Sequence, residues 1–345
     1  MKTGPIALLA AVSILASAAA AQDSAPADLT QIPPVDTSYQ PGKTAWGEPD
    51  LRGTWPIDYL NGTPMQRTEE QGNRVFMTDE EYAERKERID RLAGRYDAED
   101  SSDSLGQGHW VEMGEINRRT SLMVQPANGR LPDMTAEGKR RSAAMRSSWR
   151  RGQSFDWVTD FDSWDRCITR GMPASMMPMM YNNGIRVFQS PGLVAIQLEM
   201  IHETRLIPTD GSGGVPSRLR GWMGISKGHW ENGNTLVVET TNLQPGPSAT
   251  NIVTSGSPPE NDTPISDEAR IVERFTMTGP DTISYRMTYT DPVIFTAPWG
   301  VQFDWQRDEE YEFFEYGCHE GNVQIRNYIT ASRAQRTQEA AANAD

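Results

Sequence analysis

The sequence predicts a mainly β protein in which an antiparallel β-barrel follows an N-terminal irregular and helical region. Apolar residues occupy every second position from Val194 to Met200, which is the period of a strand with one buried face. The dipeptide Asn232-Gly233 separates two runs suited to pairing and is the strongest short-range signal for a hairpin. Similar short runs recur between turn residues up to position 316, a pattern that favours a barrel or a sandwich.

The predicted strands form a meander over residues 185–316. An up-and-down barrel of about eight or nine strands suits this length, and its closure leaves no open sheet edge. The segment Ser248–Ser266 is rich in Pro, Ser, Gly and Asn and predicts a long loop at one rim. The predicted strands are Ile185–Gln189, Leu193–His202, Arg205–Pro208, Gly221–Ser226, Thr235–Thr241, Ile271–Met277, Thr282–Thr290, Gly300–Trp305 and Tyr311–Tyr316.

The N-terminus has the layout of a secretory signal peptide. Lys2 precedes an apolar run over residues 6–16, and the alanines at 19–21 supply an A-x-A cleavage site before Gln22. Residues 1–21 are therefore predicted to be removed on export. The mature protein is predicted to be periplasmic or secreted.

Four segments follow the predicted signal peptide. Thr78 and Glu81 have the spacing of a capping box, which predicts a helix from Asp79 to about Arg91. A second helix is predicted to start near Thr135. The segments are a flexible arm (22–45), an irregular and helical N-terminal region (46–180), an antiparallel β-barrel domain (181–332) and a C-terminal tail (333–345).

The charge of the chain disfavours some classes of partner. Its formal net charge is -14, and an acidic surface is a poor match for nucleic acid or anionic lipid. After the signal peptide no stretch approaches the roughly 20 apolar residues of a transmembrane helix, so no membrane span is predicted. The two cysteines, Cys167 and Cys318, either pair as a disulfide or remain two separate buried thiols. The oligomeric state does not follow from the sequence.

No cofactor and no metal is predicted, because the sequence contains no HxH, HExxH or paired CxxC motif and no nucleotide-binding fingerprint. Glu199 and His202 lie three residues apart, and on a regular strand this spacing puts them on opposite faces. The alternative is a metal held by distant residues such as His202, His319 and a carboxylate.

Two polar residues near the end of the predicted strand Leu193–His202 are candidates for chemistry. His202 follows Met200 on the apolar face, where it is either a general acid or base at a ligand cavity or a satisfied core histidine. Arg205 either meets a ligand carboxylate or phenolate or forms a surface ion pair with Glu203.

Other polar residues share the inward faces of later strands. Glu273 alternates with apolar residues, and Tyr285 and Tyr289 lie on one face of their strand. With His202 they would form an apolar pocket with a few convergent polar groups, the usual form of a small-molecule site. The alternative is that the tyrosines are core residues with hydroxyl groups at the rim. The predicted ligand-binding residues are Tyr285, Tyr289, Trp222, Met200 and Asp291.

The segment Glu315–Asn322 is the densest polar cluster in the C-terminal half. If Cys318 pairs with Cys167, this segment meets residues 165–170, and the two together collect acidic, basic and imidazole groups. The cluster is either an acid–base site or a set of ion pairs and hydrogen bonds that closes one end of the barrel. Its candidate residues are Asp165, Arg166, His319 and Glu320.

Seven motifs resemble those of a family of secreted proteins of Gram-negative bacteria, most of which have no assigned function. The resemblance covers Trp46 to Ser332 and brings no catalytic residues with it. The C-terminal meander is also similar in layout to lipocalin-like (calycin) barrels, which implies a small ligand. The motifs are EPDLRGTW, SLMVQPANGRLPDMTAEG, DRCITRGMP, EMIHETRLIPTDG, GWMGISKGHWENGNTLVVETTN, YTDPVIFTAPW and YGCHEGN.

These observations predict an exported enzyme that acts on a small apolar or aromatic molecule by cofactor-independent acid–base chemistry, as a lyase, isomerase or hydrolase. The alternative is a periplasmic carrier of lipocalin type, and a structural protein with a filled barrel is a third class. The predicted catalytic residues are His202 or His319 for proton transfer, Arg205 or Arg166 for developing negative charge, and Glu273, Asp165 or Glu320 to orient the imidazole.

Overall fold

The computed structural model describes residues 24–102, 106, 108, 111–112, 116–148, 152–212, 214–245 and 263–343. The predicted signal peptide and most of the predicted loop Ser248–Ser266 lie outside the described residues. Within them the protein is mainly β, with two antiparallel sheets and three α-helices. The mainly β prediction is therefore confirmed.

The ten strands divide into a four-stranded sheet, in the order β1-β3-β4-β5, and a six-stranded sheet, in the order β2-β10-β9-β8-β7-β6. Their bounds are β1 Gly53–Thr54, β2 Met123–Gln125, β3 Ile185–Ser190, β4 Leu193–Leu198, β5 Thr204–Pro208, β6 Ile225–Glu231, β7 Thr235–Thr241, β8 Arg270–Gly279, β9 Thr282–Thr290 and β10 Trp299–Gln306. Every strand pairs with its neighbours in the antiparallel sense. β1 and β2 come from the N-terminal region, so this region supplies an edge strand to each sheet.

The predicted hairpin at Asn232-Gly233 joins β6 and β7. Both residues have positive φ, 54° and 74°, as a type I′ hairpin turn requires. β6 begins later than predicted, because residues 221–224 form a turn closed by the Gly224 amide on the Gly221 carbonyl at 3.0 Å. The prediction of a strand over Gly221–Ser226 is wrong in its first half for this reason.

The two sheets pack their apolar faces into one core. Val194, Ile196 and Leu198 of β4 are buried in this core. The sheets come closest where β5 lies beside β6: a Cβ atom on Gly228 would stand 2.9 Å from Cγ2 of Ile207, so glycine gives the room for this approach.

The described strands form two separate hydrogen-bonded sheets, with no ring that closes them into one barrel. A second link between the sheets lies beyond β10, where the amide of Asp308 donates to the carbonyl of Thr54 in β1 at 3.0 Å. The closed, lipocalin-like barrel stays a prediction.

The predicted strand Leu193–His202 ends early. Pairing with β5 stops at Gln197, and residues Met200–His202 form a 3-10 turn instead. The carboxylate of Glu199 accepts the amide of Gly184 at 3.0 Å and holds the start of this turn. The predicted strand Tyr311–Tyr316 is wrong as well. This segment binds Glu199 through the Tyr311 hydroxyl and the Phe314 amide, both at 2.8 Å, and has no ladder partner.

The helices are α1 Asp79–Asp100, α2 Ala136–Ala144 and α3 Gln324–Ala342. Thr78 and Glu81 form the predicted capping box of α1, and Thr135 caps α2 through the amide of Gly138 at 2.9 Å. α1 continues past its predicted end, and α3 starts inside the predicted barrel domain, 181–332. None of the helices in the described part of the chain combines the length and the apolar character needed to cross a bilayer.

Residues 24–45, predicted to be a flexible arm, lie along the protein surface. The carbonyl of Leu29 accepts the amides of Val75 and Phe76 at 2.7 and 3.1 Å. Farther along, the amide group of Asn234 donates to the carbonyls of Thr37 and Tyr39, both at 3.0 Å. These backbone carbonyls of residues 24–45 thus accept hydrogen bonds from protein groups instead of from water.

Cys167 and Cys318 form a disulfide with their Cα atoms 5.7 Å apart. The predicted pairing is confirmed, and the alternative of two separate thiols is wrong. The bond ties the loop before β3 to the segment between β10 and α3.

The double substitution Cys167→Ser/Cys318→Ser should lower the free energy of unfolding by about 4–5 kcal/mol. The disulfide spans 151 residues, and such a bond stabilises by restricting the unfolded chain. Guanidinium unfolding followed by tryptophan fluorescence measures the difference, with reduced wild-type protein as the control. Equal midpoints for the double variant and the oxidised wild type would contradict the expectation.

Candidate functional site

A buried ion pair joins the two sheets inside the protein. The guanidinium of Arg205 in β5 donates to both carboxylate oxygens of Glu273 in β8, at 2.9 and 2.5 Å. The hydroxyl of Tyr285 donates to the same carboxylate at 3.0 Å. Arg205 also donates to the hydroxyls of Ser226 and Thr240, both at 3.3 Å. Arg205 therefore points inward, and its partner is Glu273 rather than Glu203.

This network is enclosed by aromatic rings. The ring of Tyr285 has its centroid 5.0, 5.1 and 5.5 Å from those of Phe275, Phe303 and Trp305. Burial raises the pKa of Tyr285 well above its ordinary value, and the charge of Glu273 adds to the effect. Burial lowers the pKa of Arg205, but Glu273 more than offsets it, so the pKa is raised. Arg205 therefore keeps its charge while packed as core.

Ser226 stands at the centre of a Gly-x-Ser-x-Gly stretch over residues 224–228. In α/β-hydrolases this spacing marks a nucleophile on an exposed strand–turn–helix elbow. Here Ser226 lies within β6, is buried, and has its hydroxyl 2.8 Å from that of Thr240. The stretch supplies an interior hydrogen bond instead of an exposed nucleophile.

A second interior carboxylate belongs to Asp291, at the end of β9. It accepts the hydroxyl of Tyr289 at 3.1 Å, the amide and hydroxyl of Ser266 at 2.8 and 2.7 Å, and the amide of Ile294 at 3.2 Å. Burial raises the pKa of Tyr289 well above its ordinary value, and the Asp291 charge contributes further. Asp291 thus fastens the turn after β9 to the segment that enters β8.

His202 does not lie on the apolar face of a strand, so that expectation is wrong. The period of two ends with β4 at Leu198, and Ile201 and His202 have positive φ, 59° and 45°. The reversal leaves His202 exposed, while Met200 is buried with Ile201 and Met179 in a small separate cluster.

The predicted ligand-binding residues do not converge on one site. Tyr285 and Tyr289 belong to the main core, whereas Met200 belongs to the separate cluster. Trp222 is half-buried in the turn before β6. The fifth residue, Asp291, holds a turn.

The disulfide brings the two predicted polar segments together. The side-chain amide of Asn322 donates to the carbonyl of Asp165 at 3.1 Å. The carboxylate of Asp165 accepts the hydroxyl of Ser148 at 2.6 Å and its amide at 3.0 Å. His319 and Glu320 are exposed on the C-terminal segment. Asp165 therefore bonds to the chain around it, and a shared acid–base role with His319 stays a prediction.

Asp162 is a buried carboxyl group in this region that the sequence did not single out. Its carboxylate accepts the amide of Asp165 at 2.7 Å, and its carbonyl accepts Nε of Arg166 at 3.2 Å. Burial, followed by the charge of Asp165, raises the pKa of Asp162 to about 7. This carboxyl group therefore titrates near neutral pH.

A cavity of about 310 Å³ lies beside α1; we name it the α1 cavity. Its volume is at the lower end of the roughly 300–1,000 Å³ typical of small-molecule sites. Its apolar wall consists of Ile89, Leu92, Tyr96, Val111, Ile116 and Met180. Its polar wall consists of Tyr59, Asn61, Thr63, Arg85, Arg88, Glu112 and Asn117.

The polar wall of the α1 cavity contains groups of both charges. Burial, with the charge of Arg88 adding to it, lowers the pKa of Arg85 to about 10. Burial raises the pKa of Glu112, whose carboxylate accepts the amide of Asn182 at 2.6 Å and the side-chain amide of Asn183 at 2.8 Å. Among the described residues, Oδ1 of Asn61 is buried with no hydrogen-bond partner. The wall therefore contains both an acceptor that is not yet used and a buried cation.

The hydroxyl of Tyr311 connects Glu112 with a second carboxylate. It lies 3.2 Å from Oε1 of Glu112 and 2.8 Å from Oε2 of Glu199. The charge of Glu199 contributes to the raised pKa of Glu112. Two carboxyl groups on one hydroxyl can exchange or share a proton.

Another cavity, of about 340 Å³, lies between α2 and residues 245, 264 and 265. Its cations are Arg140 and Arg141, and both donate to Glu137 at 2.7 Å. Because these charges are already paired, this cavity has less to offer a charged ligand.

The α1 side of the cavity has a signal in the sequence. Residues 85, 88, 89, 92 and 96 recur at intervals of three or four, which places them on one face of a helix. The face mixes arginines with apolar residues, and such a mixture is also typical of a helix surface exposed to solvent. The rest of the wall comes from residues 59 and 61–63, from residues 111, 112, 116 and 117, and from Met180, which only the fold brings near α1.

Comparison of this chain with protein-family models, with curated proteins and with solved structures found no match. The resemblance to secreted proteins of Gram-negative bacteria and the likeness to calycin barrels stay predictions.

Replacement of Glu273 by Leu should lower the free energy of unfolding by about 3–5 kcal/mol, because it leaves the Arg205 charge buried without a partner. The double substitution Arg205→Met/Glu273→Leu should be less destabilising than Glu273→Leu alone. Urea unfolding of the variants forms the test. A double variant less stable than Glu273→Leu would show that the pair stabilises the core beyond neutralising its own charges.

Asp162 should make the protein less stable as pH rises from about 4 to 7. The folded state binds this proton more tightly than the unfolded chain, whose carboxyl group has the ordinary pKa of 3.8. Ionisation is therefore penalised only in the folded state, by up to about 1.4 kcal/mol per pH unit. Asp162→Asn should remove this part of the slope, and Asp90→Asn, at an exposed position, should keep it. An unchanged slope in Asp162→Asn would contradict the assignment.

Proposed function

We propose that this protein binds a small, partly apolar molecule in the α1 cavity. The observation that carries the proposal is the composition of the wall: apolar side chains from α1, Val111 and Ile116 line the same cavity as a buried amide oxygen and charged groups. Sites for small molecules combine an apolar lining with a few polar groups that fix orientation. Asn61 would accept a hydrogen bond from the ligand, and Ile89 and Leu92 would pack on its apolar part.

The interior between the sheets is a weaker candidate for the ligand site. Its polar groups, Arg205, Glu273 and Tyr285, bond to one another, and aromatic rings fill the space around them. A ligand would have to displace packed rings to reach them. We propose that the two sheets serve as a lipocalin-like shell whose role is to support the cavity beside it.

Export to the periplasm or the extracellular space is part of the proposal. The disulfide fits an oxidising compartment, and the N-terminal sequence has the layout of a signal peptide.

An acid–base enzyme is the second candidate, and the position of Glu112 favours it. This carboxyl group belongs to the cavity wall, has a raised pKa, and reaches Glu199 through Tyr311. A lyase, isomerase or hydrolase could use such a group to move a proton. On this view Glu112 takes the role that the sequence assigned to His202 or His319.

Leu92→Trp should weaken binding at least about tenfold, because the larger ring occupies the α1 cavity. Wild-type and variant protein would be titrated with a panel of small aromatic and alicyclic compounds, with thermal shift as the first readout and calorimetry as the second. A compound at about 100 times its Kd stabilises the folded state by about 2.7 kcal/mol, which thermal shift detects.

Lys86→Trp is the matched control, since it places the same ring on α1 at an exposed position outside the cavity wall. Equal binding by Leu92→Trp and wild type would contradict the proposed site. Conversion of a bound compound, followed by mass spectrometry, separates the two candidates: an enzyme should lose turnover in Glu112→Gln while keeping affinity, whereas a carrier shows no conversion.

A further inference from the structure

We infer that the ligand of the α1 cavity is a small organic carboxylate, whose anionic group binds Arg85 and Arg88 and whose apolar body packs on the apolar residues of the cavity wall. This inference rests on the proposed function and adds the chemical class of the ligand. It follows from the charges in the wall and from what each charge already bonds to.

Arg85 is a buried cation with no anionic partner in the described residues. Only 7% of its surface is exposed. Its guanidinium donates to the backbone carbonyl of Arg119 at 2.9 Å, and no described carboxylate forms an ion pair with it. Glu81, one turn earlier in α1, is held by Arg74 at 2.6 and 2.8 Å. Buried charges in proteins are normally paired, so an unpaired one calls for an anion.

Arg88 adds a second positive charge that an anion in the cavity would neutralise. It lies three residues after Arg85, on the same face of α1, and both belong to the cavity wall. Its charge opposes that of Arg85, since it contributes to the lowered pKa there. Two like charges one turn apart destabilise an empty site, and an anion between them would remove the repulsion.

Glu112, which is the single acidic residue among the described residues of the wall, does not supply this anion. Glu112 is engaged on the far side by Asn182, Asn183 and Tyr311. It forms no ion pair with Arg85. The charges of Arg85 and Arg88 are thus available to an anionic ligand. This holds although the chain as a whole carries a net charge of -14.

The rest of the wall fixes the class of anion. Ile89, Leu92, Ile116 and Met180 cover much of the cavity with apolar surface, which a bare inorganic ion would leave in contact with water. A carboxylate on an aromatic or alicyclic body satisfies the cations and this surface together. The volume of about 310 Å³ restricts the body to a small molecule.

The test compares 2-naphthoate with 2-naphthamide, which have nearly the same size and shape. The acid is anionic, whereas the amide is neutral and has N–H donors that Asn61 could accept, so a preference for the acid reports on the arginines. Calorimetric titration of wild-type protein should give a Kd at least about tenfold lower for the acid. Arg85→Met should bring the acid to the affinity of the amide, while Arg91→Met, an exposed arginine of the same helix, should keep the wild-type ratio. Arg88→Met, also at an exposed position, should reduce the ratio about threefold and serves if Arg85→Met fails to fold.

The outcomes separate the inference from the proposed function. If both compounds bind equally and Leu92→Trp blocks both, the inferred ligand class is wrong and the cavity stands. If neither compound binds, the proposed site fails and the inference fails with it. Without ligand, Arg85→Met should unfold at the same or a higher denaturant concentration than wild type. A lower midpoint together with an unchanged acid-to-amide ratio would show that Arg85 is structural.

Discussion

The Arg205–Glu273 ion pair joins the smaller sheet to the larger one at the centre of the protein. A buried pair of this kind gains little over an apolar pair of similar volume, because both charges lose their water. Its effect is on specificity. Arg205 lies in β5, and a shift of that strand by one residue would turn its guanidinium outward and leave the buried Glu273 without its cation. The pair thus selects one register for β5 against β4 and one position of the smaller sheet.

The position of the smaller sheet decides where the chain goes next. β4 ends at Leu198, and the carboxylate of Glu199 gathers the side-chain amide of Asn182 and the C-terminal segment at Tyr311. That segment runs on to the disulfide and into α3. The Tyr311 hydroxyl also contacts Glu112 in the wall of the α1 cavity. This wall is therefore linked to the turn at Glu199, whose place follows from the position of the smaller sheet.

The strands were predictable where a residue pattern is local. β7 and β9 have their predicted ends, and the Asn232-Gly233 turn is where the dipeptide predicts it, because the positive φ angles it needs are a property of these two residues. His202 was not predictable in the same way. The period of two does not record where a strand stops, and the carboxylate that ends it is fixed by groups 15 to 115 residues away. The α1 cavity has the same difficulty, since half of its wall comes from irregular segments that carry no period.

The edge strands β1 and β2 have a consequence for biosynthesis. β2 pairs with β10, so residues near 124 wait for residues near 300 before their hydrogen bonds can form. The smaller sheet can be completed once residue 208 has been synthesised, but the larger sheet needs residues up to 306 of the 345-residue chain, so folding is expected to be slow. The larger sheet therefore stays open at one edge until its last strand, β10, has been synthesised and can pair with both β9 and β2.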